Sequence, residues 1–98
     1  MGDVRGTMSF LAEWYLQDLA DTVVDDIVTR LHAAASMVTS AGTQVRLVAT
    51  LSVPTDEVLY GVFDAASSEA VSAACDQAGS PHQRLSTDVI ARFASGAA

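Results

Sequence analysis

The stretch VRLVATLSVPTDEVLYGVFD, residues 45–64, decides the fold. Val45, Leu47, Ala49, Leu51 and Val53 recur at every second position, while Gln44, Arg46, Val48, Thr50 and Ser52 face the other way. That period of two predicts a strand with one oily face and one mostly polar face. Pro54-Thr55-Asp56-Glu57 is turn chemistry, because proline pre-sets its φ and the Asp side chain can bond nearby backbone. From Val58 to Asp64 an extended, β-branched and aromatic run resumes, so the two segments form a hairpin.

The same reading extends outward in both directions. Upstream, Ser9 to Leu16 alternates, with Phe10, Ala12, Trp14 and Leu16 on one side and Ser9, Leu11, Glu13 and Tyr15 on the other, which predicts a first strand. Asp18 is placed to cap a helix and Asp21 to favour its positive end. Leu19, Val23, Ile27, Leu31, Ala34 and Val38 then follow at helical steps, and Gly42 ends the run. Downstream, Ser67 or Ser68 can cap a short second helix with inner face Ala70, Val71, Ala74, Cys75 and Ala78, stopped by Gly79 with Pro81 beyond. Arg84 to Phe93 reads as the last strand, with Leu85, Thr87, Val89, Ala91 and Phe93 alternating against Ser86, Asp88, Ile90 and Arg92.

The resulting order is βαββαβ. With right-handed crossovers it folds most simply as an α+β, ferredoxin-like domain, a four-stranded antiparallel sheet with two helices on one face. The other face has no cover. It is expected to mix Leu11, Tyr15, Val48 and Ile90 with Glu13, Arg46, Thr50 and Asp88. Such a mixture reads as a dimer interface, two copies closing a dimeric α+β barrel around a partly polar cavity.

Composition bounds the function. The 98 residues suffice for one core, so the expected layout is a disordered leader over residues 1–8, the domain over 9–93 and a flexible tail over 94–98. A domain this small often gains stability by pairing with a copy of itself. Half of the residues are hydrophobic and 17% are charged, too apolar for a disordered chain and without an uncharged run long enough to span a membrane. Twelve acids oppose five arginines that are scattered along the chain, for a net charge of −7, which argues against nucleic acid as a partner. The single cysteine, Cys75, leaves no internal disulfide and no multi-cysteine zinc motif. MGDVRGT at the start lacks the apolar core of a secretory signal, so a cytoplasmic location is expected.

The strand FLAEWYLQDL, the hairpin around TDEVLYGVFDAASSEAV and the segment AGSPHQRLSTDV resemble a small bacterial ferredoxin-like family that includes actinobacterial nickel-binding proteins. The resemblance covers about residues 9–93 and implies a ferredoxin-like homodimer, with nickel or another divalent metal held in the interface region of some members. Glu13 stands where that family usually has a glutamate in its first strand, and Asp88 at an acidic position in its last. The family's corner after the second helix is represented by Gly79-Ser80-Pro81. A histidine that the family often carries in its second strand is missing from Arg46 to Val53, which weakens the case for a metal because nickel and zinc sites lean on imidazole.

From the residues themselves, strand parity gathers Glu13, Tyr15, Arg46 and Asp88 on the uncovered face as candidate ligand-binding groups. Two carboxylates in a half-buried cavity can have their pKa values pushed apart, as acid–base chemistry requires, and the plainer account makes the same residues ion pairs across a dimer. His82, in the corner Ser80-Pro81-His82-Gln83, joins the candidate ligand set because loops at such places carry function, although a lone loop histidine is commonly just solvated. His32 shares a solvent-facing helical stripe with Asp25, Thr29 and Ser36 and has no strong ligand one turn away. Cys75 among alanines reads as a small buried hydrophobe, Trp14 as core, and Asp18, Asp21, Asp25 and Asp26 as a solvated face with an Asp26–Arg30 pair. No phosphate-cradling glycine loop or nucleophile elbow is present. The expected function is a homodimeric protein that binds a small ligand or a nickel-like metal ion. The competing expectation is a cofactor-free isomerase or monooxygenase of the dimeric α+β barrel kind, with Glu13, Asp88, Tyr15 or His82 as acid or base.

Overall fold

Alternation of large apolar and polar side chains makes Met8–Tyr15 the first strand, β1, with Phe10, Ala12 and Trp14 buried and Ser9, Leu11, Glu13 and Tyr15 on the opposite face. The computed structural model describes residues 7–90 and residue 92. The expected leader before residue 7, the tail 94–98, and Ala91 and Phe93 of the expected last strand lie outside the described residues. Met8, assigned by sequence to the leader, is already in β1 and pairs with Ala65.

Helix α1 spans Asp21–Ser40 and buries Ile27, Leu31, Ala34, Ala35 and Val38. Asp18 does not cap it. Its Oδ1 accepts from the Ala20 N–H at 3.0 Å, closing a local turn one step short of the helix, and Ala20 occupies the N-cap without a side-chain bond. At the other end Gly42 takes φ +114, and its N–H donates to the Thr39 carbonyl while the Thr43 N–H donates to that of Val38, the paired closure that a left-handed residue permits. Strand β2, Val45–Val53, passes through a 3-10 turn at Pro54–Asp56 into β3, Val58–Ala65. Ser67 is the residue that caps α2, Ser68–Gln77, its hydroxyl accepting from the Ala70 N–H at 3.2 Å. Gly79, at φ +75, ends it as the sequence indicates. Strand β4 runs only over Arg84–Val89, shorter than expected, and Ile90 stands 75% exposed beyond it.

The strands assemble in the order β2-β3-β1-β4, every neighbour antiparallel. Both helices pack on one face, over Trp14, Leu59 and Phe63, with Leu31 and Val71 driven fully inside. Each such burial contributes about 1.5–3 kcal/mol. Trp14 lies against Gly61, where a Cβ would meet its ring at 3.0 Å, and its indole N–H donates to the Ser80 carbonyl at 2.7 Å. Among the described residues no helix is long and apolar enough to cross a membrane.

Two irregularities overturn parts of the expected parity. In β2, Leu47 pairs with Phe63 but Ala49 pairs with Val62, so Val48 is an extra residue and every side chain after it changes face. Ala49 and Leu51, expected in the core, therefore join the uncovered face, Leu51 being 55% exposed, while Thr50 and Ser52 turn to the helix side opposite Gly61 and Leu59. In β4, Ser86 pairs with Leu11 and Val89 with Ser9, which leaves Thr87 and Asp88 together opposite Phe10. Asp88 takes φ +56, a conformation Asp tolerates, and Val89 moves from the expected core face to the uncovered one.

Candidate functional site: the uncovered sheet face

The register arranges the uncovered face in three rows across the four strands. Arg46, Asp64, Ser9 and Val89 form the first; Ala49, Val62, Leu11 and Ser86 the second; Leu51, Tyr60, Glu13 and Arg84 the third. The middle row is an apolar waist. Each outer row carries one acid and one arginine.

At the third row the Glu13 side chain is only 12% exposed, although among the described residues no helix or strand packs over this face. Tyr15, two residues on and on the same face, donates its hydroxyl to Glu13 Oε1 at 2.9 Å, and Arg84 Nε lies 3.6 Å from Oε2. That hydrogen bond to the carboxylate holds the Tyr15 phenol protonated and raises its pKa above that of an ordinary tyrosine. Gln83 fixes the backbone here: its N–H donates to the Glu13 carbonyl at 2.9 Å, and its Oε1 accepts from the Tyr15 N–H at 2.6 Å. At the first row Asp64 accepts from Ser9 Oγ at 3.1 Å and from Arg46 Nη2 at 3.0 Å.

Of the residues singled out from sequence, Glu13 and Tyr15 are brought together, and Arg46 is on the same face but at its far end. Asp88 is not their partner. Glu13 pairs with Arg84, whereas Asp88 stands opposite Phe10, three residues or ~10 Å further along β1. The two-carboxylate cavity is therefore lost. His82 is not on this face either: the corner folds back on α2, and its Nε2 lies 2.9 Å from Ser72 Oγ. Sequence reasoning missed Asp64, Tyr60 and Arg84 as site members, because cross-strand register, which no single strand carries, is what places them beside Arg46 and Glu13.

Cys75 is fully buried, and burial pushes its thiol pKa up to about 12, helped by the Asp76 charge and opposed by the His82 backbone hydrogen bond. It is no nucleophile. His32 is exposed and lines an open groove of about 690 Å³ between α1 and β2, shared with Ser36, Thr39, Arg46 and Asp64. The Asp26–Arg30 pair forms at 3.1 Å, and Arg30 also donates to the Ala78 carbonyl at 2.8 Å, tying α1 to the end of α2.

The described residues of one chain gather no set of side chains that fits a divalent metal. Among the described residues no three His, Cys, Asp or Glu side chains converge, and both imidazoles lie off the uncovered face.

No protein-family model matches the chain, and no curated protein matches it significantly. Among solved structures, it is similar to the crystal structure of SCO4226 from Streptomyces coelicolor A3(2), at 16% sequence identity and a TM-score of 0.62, over 86% of this chain and 99% of that one. At that identity the likeness shows the fold alone: the chain has the ferredoxin-like α+β architecture.

Proposed function

We propose that the chain is a homodimeric binding module in which two copies meet through their uncovered sheet faces and enclose a small-molecule site at the Glu13–Tyr15–Arg84 end. The observation that carries this reading is the layout of that face, a waist of Ala49, Val62 and Leu11 between two rows of matched charge. Four strands ~4.8 Å apart and about seven residues long give a patch of roughly 450 Å² per copy, or ~900 Å² in total, below the standard size and in the range of weak, reversible association. The dimer is therefore expected to dissociate in the micromolar range.

Closing the second copy over Glu13 removes its remaining contact with water, where Tyr15 and Arg84 already satisfy it, and the positive Arg84 guanidinium favours an organic ligand with an acidic or polar group over a metal cation. The separation of Glu13 from Asp88 removes one of the acid–base combinations open to the enzyme alternative, and the binding reading is the one that the face's own layout supports. Native mass spectrometry of the purified protein tests the reading. A dimer carrying a small-molecule adduct that Arg84→Ala loses supports it; a bare monomer across all concentrations refutes it.

A further inference from the structure

We infer that Tyr60 is the residue that reaches across this interface, donating its hydroxyl to a carboxylate of the second copy. This rests on the dimer reading above and adds to it a named contact. Tyr60 sits in the third row beside Glu13, partly exposed, and its hydroxyl has no hydrogen-bond partner among the described residues. The other hydroxyls on the face are engaged at home, Tyr15 with Glu13 and Ser9 with Asp64, apart from Ser86 in the waist.

Two sheets stacked face to face as an isologous dimer are related by a two-fold axis lying between them. If that axis runs along the strands, rows are kept and β1 lies over β3, so Tyr60 faces the second copy's Glu13. Should it run across the strands, the outer rows exchange, and Tyr60 faces the second copy's Asp64. At the centre Leu11 meets Val62 in the first arrangement, and in the second each meets its own counterpart, while each arginine lands on Leu51 or Val89 in both. Neither arrangement sets two like charges opposite each other. The face is thus complementary to itself, and in each packing the Tyr60 hydroxyl meets a carboxylate that still has acceptor capacity. That self-complementarity is the reason to assign the face to a second copy.

Sedimentation equilibrium on Tyr60→Phe, which keeps the ring and removes only the donor, tests the assignment. A dimer contains two such bonds by symmetry, and a hydrogen bond to a charged group is worth about tenfold in affinity, so the dissociation constant is expected to rise by roughly ten- to a hundredfold. Thermal unfolding of the monomeric species should be unchanged. A double-mutant cycle with Glu13→Gln and with Asp64→Asn should show coupling to one of the two. An unchanged dissociation constant for Tyr60→Phe, in a protein whose dimer is still split by Leu11→Glu, overturns the contact while leaving the dimer reading intact. A wild-type chain that never dimerises overturns both.

Discussion

Gly61 is the position where the packing of the site's supporting core can be tested by adding a single methyl. A Cβ built there would come within 3.0 and 3.1 Å of the Trp14 ring and 3.4 Å of Phe63. The ring cannot easily withdraw, since it is 3% exposed and anchored through its indole N–H to Ser80. Forcing a methylene's worth of volume into a packed core costs about 1–3 kcal/mol, and loss of the indole hydrogen bond adds about 1 kcal/mol. Against this, alanine gains roughly 0.4–1 kcal/mol by restricting the unfolded chain. Gly61→Ala is thus expected to lose about 1–3 kcal/mol, read as a shift of the urea midpoint without a change of slope, or as a fall of roughly 5–20 °C in Tm for a domain of this size. Because Trp14 lies between Glu13 and Tyr15 in β1, its displacement should also disturb the Tyr15 hydroxyl. A variant as stable as the parent, or more so, would mean that the ring is not seated on Gly61, and the account of how β1 is held would be wrong.

Further outcomes follow from the buried thiol and the donor set. With its pKa raised to about 12, Cys75 keeps its proton in the folded state well above the pH at which the unfolded thiol ionises. The stability this lends is complete below about pH 8.5, falls by about 1.4 kcal/mol per pH unit above it and is lost by about pH 12. Urea unfolding at pH 8 and pH 10 should show a steeper alkaline loss for the parent than for Cys75→Ala, and equal losses would refute the burial argument. A thiol reagent at pH 8 should modify the parent only after denaturant is added. Calorimetric titration of the monomeric Leu11→Glu variant with nickel or zinc should give no saturable heat, since among the described residues of one chain no three candidate ligands converge; stoichiometric binding would contradict that.

Where the sequence was readable, a single element carried its own signal. In β1, the buried Phe10, Ala12 and Trp14 alternate with the less buried Ser9, Leu11, Glu13 and Tyr15, and the structure keeps that parity along the strand. Ser67, Gly42 and Gly79 mark helix ends because capping and left-handed backbone depend on the residue itself. The bulge at Val48 has no such mark: valine suits a regular strand, and only the pairing with β3 shows that it is supernumerary. Asp88 could have been suspected, as Asp accepts positive φ, but the alternation of β4 gave no reason to break there. The site was half visible for the same reason. Glu13 and Tyr15 share a strand and were found together, whereas Arg84, Tyr60 and Asp64 enter through register, and His82 left because the corner after α2 folds back onto Ser72.

The claim that the bare sheet is covered by a second copy meets its most direct test in sedimentation equilibrium of the wild-type chain beside Leu11→Glu, which puts a charge at the centre of the waist without touching the core. The account predicts a micromolar dimer for the former and a folded monomer, by circular dichroism, for the latter. A wild-type protein that stays monomeric at high micromolar concentration, or a Leu11→Glu variant that dimerises equally well, would contradict it.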